Sequence, residues 1–238
     1  MQKSNQIKTV AIIVAGGKGK RMGQPKQFLK IAGKPMLEWT IAAFEKAAII
    51  DGIILVVAKE NLPMACRLKS SKLLKVVAGG TERQDSVKNG LRQLPDKTEI
   101  VVIHDGARPA VSEEIINRSV QAARRYGAAL AAVPVKDTIK KIKNQKSCLP
   151  AGTAKIKKII KVEKTLERDE LWAAQTPQTF KANIIREAYA KSKGSFTDDA
   201  ALVERLNKPV SIIFGSYANI KVTTPEDLAV MKNVLTGR

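Results

Sequence analysis

A glycine-rich and strongly basic segment begins where the first apolar run of the chain ends. The apolar run 10–14 is followed directly by AGGKGKRMGQPKQF, in which glycines alternate with basic residues until Phe28. So many positive charges on a flexible loop would repel one another unless an anion neutralised them. Glycines let backbone N–H groups approach a phosphate, while arginine and lysine side chains supply charge. We therefore predict a phosphate-binding loop whose main charges are Arg21 and Lys26.

Two familiar phosphate-binding motifs do not fit this loop. A Walker loop requires glycine, four residues and then Gly-Lys-Ser/Thr, which the segment lacks. A dinucleotide fingerprint starting at Gly17 would need a third glycine where Met22 stands, and Gly23 comes one residue late. The second apolar strand also ends in VVAKE, where Glu60 is the only acid available for a ribose. A dehydrogenase that binds a dinucleotide is therefore disfavoured.

A carboxylate follows another apolar run. Asp105 comes directly after IVVIH, and Arg108 lies three residues further on. Open α/β sheets bind ligands at the carboxyl ends of their strands, and a carboxylate among cations there suits Mg²⁺ that bridges to a phosphate. A turn or helix-capping role is the alternative for Asp105. We interpret His104, in an apolar strand, as a packed and hydrogen-bonded residue rather than a catalytic base.

The elements that would position these residues alternate between strand and helix. The predicted strands are nearly continuous apolar runs, typical of a parallel sheet buried on both faces. They span 10–15, 53–58, 75–78, 100–104 and 128–135, and the predicted helices span 35–48, 62–70, 81–94 and 112–126. Thr81 and Gln84 have capping-box spacing at the third helix. The alternation predicts an α/β fold with a Rossmann-like, doubly wound, mostly parallel sheet.

The alternation stops at Lys136. Residues 136–171 are basic and only locally apolar, and TIKKI and KIIKV alternate like the two strands of a hairpin. A disordered basic loop is the alternative, but the β-branched positions favour an ordered, protruding β-arm. Helices at 181–193 and 198–206, strands at 210–214 and 220–222, and a last helix opening at Thr224-Pro225 should follow. Without a linker rich in proline or glycine, we predict a single domain, 1–238.

The composition narrows the possible partners. Forty-two basic and 22 acidic residues give a formal charge of +20, which suits nucleic acid or small polyanions. With three Tyr, five Phe and two Trp, there are few platforms for stacking bases, and a nucleic-acid partner is therefore disfavoured. The two cysteines form no disulfide pattern, and no segment is suited to a membrane or a signal peptide. We expect a cytoplasmic protein.

Seven motifs in a fixed order make the chain resemble the 2-C-methyl-D-erythritol 4-phosphate cytidylyltransferase family. They are AGGKGKRMG with PKQF, GGTERQDSV, IHDGARP, VPVKDTIKK, LWAAQTPQTF, FTDDA and NIKVTTPEDL. The resemblance implies transfer of CMP from CTP to 2-C-methyl-D-erythritol 4-phosphate, with Mg²⁺ and release of pyrophosphate, in non-mevalonate isoprenoid biosynthesis. A ribitol-5-phosphate cytidylyltransferase and a basic nucleic-acid-binding protein are the alternatives.

The same resemblance implies roles for individual residues. The catalytic residues would be Arg21, Lys26, Arg168 and Lys221. The nucleotide would contact Ala15, Gly16, Gly17, Gly19, Lys20, Gly80, Ser86 and Ala107. The second substrate would contact Arg108, Thr138, Thr197, Arg168 and Lys221, and Asp105 would bind the metal. The role of Arg83 stays open between ion pairing and substrate contact. The arm 136–171 would cross to a partner subunit and form a homodimer.

Overall fold

The computed structural model describes residues 7–17, 26–143, 161–191 and 194–237. The described chain divides into two compact units, the first Met1–Ala132 with Ala174–Arg238 and the second Val133–Ala173. None of the described helices is long and apolar enough to cross a bilayer.

A seven-stranded sheet forms the centre of the fold. The strands are β1 (Thr9–Ala15), β4 (Gly52–Val57), β5 (Leu73–Ala78), β6 (Ile100–Asp105), β7 (Ala128–Pro134), β10 (Trp172–Lys181) and β11 (Ser211–Phe214). Their order in the sheet is β11-β7-β10-β6-β1-β4-β5. The pairs β5–β4, β4–β1, β1–β6 and β7–β11 are parallel, whereas β10 runs antiparallel to β6. This mostly parallel sheet confirms the predicted fold class.

Helices cover both faces of the sheet. The helices are α1 (Met36–Lys46), α2 (Leu62–Ala65), α3 (Arg83–Leu91), α4 (Glu113–Tyr126), α5 (Ala182–Lys191), α6 (Ala200–Glu204) and α7 (Pro225–Thr236). Alternate side chains of β1 point to opposite faces, so that Ile13 packs in the same apolar cluster as residues of α1 and α4. Ile12 packs in a second cluster with residues of α3 and α5. Burial on both faces explains why the central strands β1 and β4 are nearly continuous apolar runs.

The remaining strands form two small sheets of two strands each. A hairpin of β2 (Lys30–Ile31) and β3 (Lys34–Pro35) precedes α1. In the second unit, β8 (Lys140–Ile142) pairs antiparallel with β9 (Val162–Thr165). The second strand of the arm thus begins where the predicted KIIKV strand ends. Residues 158–160 of that prediction lie outside the described residues.

Three local predictions were wrong. The helix predicted at 62–70 is the single turn α2, after which the backbones of Arg67 and Leu68 donate to the carbonyls three residues back and the α-helical pattern ends. The segment 220–222 forms no strand, since one backbone bond from Val222 to Ala107 replaces a ladder. Helix α3 begins two residues late, and the acid that accepts the hydrogen bond of the Glu82 backbone is Asp85, not Gln84.

Candidate active site

Two adjoining cavities open at the carboxyl ends of β1 and β6. Their volumes are about 250 and 260 Å³, and both are lined by Arg83, Asp105 and Lys221. Val14 of β1 is the register partner of Asp105 of β6, so the two strands end side by side. After β1, the chain forms β4 and β5 on one side of β1 and then crosses to form β6 on the other side of β1. Such a switch point is where open α/β sheets bind ligands.

The first cavity contains most residues predicted to bind the nucleotide. The predicted residues that line it are Ala15, Gly16, Gly17, Gly80, Ser86 and Ala107, together with Asp105 and Lys221. The second cavity contains Arg108 and Thr197 of the predicted substrate residues. Both sets come from separate parts of the sequence and meet at one edge of the sheet.

The other predicted residues either belong to the second unit or have side chains outside the part of the chain that the structure describes. In the second unit, Thr138 is exposed, and Nη1 of Arg168 donates to the Lys136 carbonyl at 3.0 Å. Lys26 begins a short 3₁₀-helix, Lys26–Phe28, and its side chain lies outside the description. Gly19, Lys20 and Arg21 lie outside the described residues. The roles of all these residues stay predictions.

Ser86 lies at a tight point of the first cavity. Its Oγ accepts a hydrogen bond from the Gly80 backbone and donates one to the Glu82 carbonyl, each at 3.1 Å. A Cβ at Gly16 would lie 2.9 Å from this oxygen, and a Cβ at Gly79 would lie 2.6 Å from it. These two glycines are therefore needed for close approach to the Ser86 hydroxyl, a constraint that spacing in the sequence does not reveal.

Gln27 joins the start of the glycine-rich loop to the 3₁₀-helix. The side chain is buried, and its Nε2 donates to the Gly17 carbonyl at 2.8 Å. Gln27 belongs to the quoted segment PKQF, but its residue type gave no signal of this role. Its amide fixes the backbone at the point where the predicted phosphate-binding loop leaves β1.

Asp105 is held between two cations. Its Oδ1 lies 3.0 Å from Nε of Arg83, and its Oδ2 lies 2.7 Å from Nζ of Lys221. Burial alone would raise the pKa of Asp105, but the charges of Arg83 and Lys221 outweigh it and hold that pKa well below its ordinary value. The carboxylate is therefore ionised throughout the neutral range.

A second carboxylate completes the pairing of Arg83. Nη2 of Arg83 lies 2.8 Å from Oδ2 of the fully buried Asp199, and the Tyr189 hydroxyl donates to the other oxygen of Asp199 at 2.5 Å. Burial opposes the charge of Arg83, yet the carboxylates of Asp199 and Asp105 prevail and raise its pKa. Arg83 thus forms ion pairs within the protein and also lines both cavities, so that its contact with a substrate stays an open question. Asp199 lies in the quoted FTDDA motif, whereas Tyr189 gave no signal in the sequence.

Hydrogen bonds on both sides anchor the backbone around Lys221. On one side, the Asn219 carbonyl accepts from Nη1 of Arg108 at 2.7 Å, and Nδ2 of Asn219 donates to the Thr176 carbonyl at 2.9 Å. On the other side, the Val222 backbone donates to the Ala107 carbonyl at 2.8 Å. Lys221 therefore projects from a fixed point although it belongs to no strand.

His104 is a structural residue, as the sequence analysis interpreted it. The ring is buried. Its Nε2 lies 3.1 Å from the Arg108 carbonyl oxygen, and its Nδ1 lies 3.1 Å from the Thr176 hydroxyl oxygen. A carbonyl only accepts, so Nε2 carries the proton and Nδ1 accepts from the hydroxyl. Burial lowers the pKa of His104 to about 4. The neutral ring thus supports the loop that carries Asp105 and Arg108.

The fit of Asp105 to a metal ion depends on its remaining acceptor capacity. Each carboxylate oxygen already accepts from one cation but has a second lone-pair direction. Mg²⁺ commonly binds one or two carboxylates together with substrate phosphates and water. Within the described ranges, no group of three or more His, Cys, Asp or Glu side chains is placed to hold a metal. Asp105 therefore has the acceptor capacity for a Mg²⁺ that arrives with a phosphate-bearing substrate.

Known proteins of one family match the chain over nearly its whole length. Residues 9–237 match the family model described as 2-C-methyl-D-erythritol 4-phosphate cytidylyltransferase. A protein of that name from Alkaliphilus metalliredigens is 45% identical, with 97% of this chain and 94% of the relative covered. One from Pelotomaculum thermopropionicum is 46% identical, with coverages of 97% and 95%.

A solved structure extends the match to three dimensions. The crystal structure of 4-diphosphocytidyl-2C-methyl-D-erythritol synthase from Anaerococcus prevotii superposes with a TM-score of 0.80 at 32% identity, covering 97% of this chain and 96% of that one. Sequence and fold agree over nearly the whole length. This chain belongs to the 2-C-methyl-D-erythritol 4-phosphate cytidylyltransferase family.

Proposed function

We propose that this protein transfers CMP from CTP to 2-C-methyl-D-erythritol 4-phosphate and releases pyrophosphate, as a step of non-mevalonate isoprenoid biosynthesis. The observation that carries the proposal is the first cavity, where the glycine-flanked Ser86 and the Asp105–Lys221 ion pair meet at the carboxyl ends of β1 and β6. The family membership of the chain supports it.

The reaction is a substitution at phosphorus. A phosphate oxygen of methylerythritol phosphate forms a bond to the α-phosphorus of CTP, and the bond from that phosphorus to the bridging oxygen of the β-phosphate breaks. The leaving group is pyrophosphate. The attacking phosphate is ionised at neutral pH, so the reaction needs positioning and charge stabilisation rather than a general base. A site with cations and a buried, neutral His104 suits that requirement.

The nucleotide would occupy the first cavity. Gly80 and Ser86 would contact the base, and Ala107 would lie near the ribose. The triphosphate would follow the glycine-rich loop that begins at Ala15, where Gly16, Gly17, Gly19 and Lys20 are the proposed contacts. Arg21 and Lys26 are proposed to stabilise the charge that develops on the α-phosphate. Asp105 would hold the Mg²⁺ that arrives with CTP, and the ion would supply further positive charge for the phosphates.

Methylerythritol phosphate would occupy the second cavity, beside Arg108, Thr197 and Lys221. Thr138 and Arg168 are proposed to contact the same substrate from the arm 136–171, which we propose to complete a homodimer. Exposed apolar residues on the paired strands of the arm support a role in association. We place the reaction in the cytoplasm, where cysteines without a disulfide pattern are expected.

The test is pyrophosphate release with Mg²⁺ and each of CTP, ATP, GTP and UTP, paired with methylerythritol 4-phosphate and, separately, with ribitol 5-phosphate. Release confined to CTP with methylerythritol phosphate is the expected result. Release with ribitol phosphate alone would keep the mechanism and overturn the proposed substrate. No release from any of the eight pairs by folded protein would refute the proposal. Salt-dependent binding to RNA or DNA, measured in parallel, would then support the nucleic-acid alternative.

A further inference from the structure

Two adjacent acids at the start of α6 make different contacts. Oδ1 of Asp198 accepts from the backbone of Ala201 at 3.0 Å and so caps the helix. Asp199, at the capping position itself, makes no capping bond with its side chain. Its carboxylate is fully buried and faces Arg83 and Tyr189 instead. A buried carboxylate that is not used for capping needs another explanation.

Arg83 connects this carboxylate to the candidate active site. Its Nη2 donates to Asp199 at 2.8 Å, and its Nε donates to Asp105 at 3.0 Å. A guanidinium is planar, so the directions of its N–H groups are fixed relative to one another. The orientation of Arg83 that Asp199 sets therefore also sets the direction from which Asp105 is held. The other oxygen of Asp105 lies 2.7 Å from Nζ of Lys221.

The far end of this series of contacts lies away from the cavities. The Tyr189 hydroxyl on α5 donates to Asp199, and neither residue belongs to the described lining of the two cavities. Tyr189 packs in the apolar cluster between α5 and the sheet. An effect of Tyr189 on the reaction would therefore act through Asp199 and Arg83, not through contact with a substrate.

We propose that Tyr189 and Asp199 are positioning residues that orient Arg83, and through it Asp105 and Lys221, for the transfer of the cytidylyl group. The inference rests on the proposed function for its kinetic part. Its structural part, the placement of Lys221 by residues of α5 and α6, stands independently of the substrate.

The kinetic test uses Tyr189→Phe, which removes one hydroxyl and keeps the ring. The expected result is a fall in kcat of about tenfold with KM for CTP changed less than about twofold, because positioning at the reacting phosphate is lost and the nucleotide contacts remain. Asp199→Asn should lower kcat further, since Arg83 then loses an ionic partner. Tyr126→Phe, at an exposed tyrosine, and Ile185→Val, which removes a buried methyl from the same helix, are matched controls that should retain kcat.

A double-mutant cycle separates positioning from a general loss of structure. In a Lys221→Met background, Tyr189→Phe should lower the residual kcat by less than about twofold, since the side chain that it helps to place is gone. An equal tenfold loss in both backgrounds would overturn the proposal, as would unchanged kcat in Tyr189→Phe. A fall of kcat in Ile185→Val similar to that in Tyr189→Phe would also overturn it.

Crystal structures of wild type, Tyr189→Phe and Asp199→Asn give a readout that requires no activity. We expect the distance from Nζ of Lys221 to Oδ2 of Asp105, 2.7 Å in the intact chain, to exceed the 4 Å limit of an ion pair in Asp199→Asn. An unchanged contact in both variants would overturn the inference. If the wild type released no pyrophosphate, the proposed function would fail, and these structures would still decide the positioning role.

Discussion

Alanine at Gly79 probes the tightest contact around Ser86. The added Cβ would lie 2.6 Å from Ser86 Oγ, so the hydroxyl has to move. That oxygen is held by the Gly80 backbone and the Glu82 carbonyl, and each such hydrogen bond is worth about 0.5–1.5 kcal/mol. Alanine regains about 0.4–1 kcal/mol because it restricts the unfolded chain. We expect Gly79→Ala to lower the free energy of unfolding by about 1–2 kcal/mol.

Removing the hydroxyl of Ser86 should abolish the loss of stability caused by Gly79→Ala. In Ser86→Ala, the atoms nearest to a Cβ at Gly79 would be the Cβ of residue 86 and the Val57 carbonyl oxygen, both at 3.4 Å and thus in ordinary contact. In this background, Gly79→Ala should be neutral or stabilising by up to about 1 kcal/mol. The two substitutions should therefore show a coupling free energy of about 1–2 kcal/mol.

Urea unfolding of wild type, both single variants and the double variant measures this coupling. Calorimetric titration with CTP on the same four proteins asks whether the contact also shapes the nucleotide cavity. We expect the single variant Gly79→Ala to bind CTP more weakly than wild type, because the Ser86 hydroxyl is displaced. An equal stability cost of Gly79→Ala in both backgrounds, or no cost in either, would refute the geometry assigned to Gly79 and Ser86.

Three further expectations concern Lys221, Asp227 and the arm. Lys221→Met should lower kcat by about 10²–10³-fold. The same substitution should change the free energy of unfolding by less than about 1 kcal/mol, because the lysine is 40% exposed and Asp105 retains its ion pair with Arg83. A large loss of stability together with the loss of kcat would contradict this expectation. Partial burial raises the pKa of Asp227, but hydrogen bonds from the Thr223 and Thr224 backbones outweigh it and hold that pKa below 3.8. The ionised Asp227 therefore stabilises the fold fully well above pH 3.8, and this contribution is lost as the pH falls below it. The difference in free energy of unfolding between wild type and Asp227→Asn, measured with urea, should shrink on acidification. Ile142→Lys with Val162→Lys, at exposed register partners of the arm, should convert a dimer into a monomer in light scattering, whereas Met64→Lys should not. A dimer in both, or a monomeric wild type, would contradict the role of the arm.

The central strands were predictable because burial on both faces requires apolar residues throughout. Strand β10 was missed because it does not follow that rule. It buries the polar residues Gln175, Thr176, Gln178 and Thr179 and contains Pro177, which disfavours a strand prediction. These polar side chains are satisfied by distant partners: Thr176 by His104, Gln175 by Ser216, and Thr179 by Ser119. Such pairing depends on the finished fold and leaves no periodic signal.

The strands alone predicted the candidate site only where residues lie at strand ends, whereas Ser86, Thr197 and Lys221 came from the family resemblance. Ala15 and Asp105 end neighbouring parallel strands, so a reading of the strands already predicts their proximity. The contact between Arg83 and Asp199 joins residues 116 positions apart. Tyr189, which donates to Asp199, lies on α5, whose sequence has the pattern of an ordinary amphipathic helix. The family resemblance therefore predicted residues that line the cavities, and it did not predict the contacts of Asp199 and Tyr189 behind them.

The charges around Asp105 explain why a carboxylate belongs in a site for polyanions. Arg83, Arg108 and Lys221 all line the second cavity and would repel one another without an anion. Burial lowers the pKa of Arg108, and the charge of Arg83 lowers it further, whereas Asp105 acts in the opposite direction. Asp105 is thus the counter-ion that lets cations be positioned before a substrate arrives. Arg83 pairs with Asp105 and also with Asp199, which is fully buried and lies outside the lining of both cavities. A residue away from the cavities therefore helps to set how Asp105 is held beside these cations.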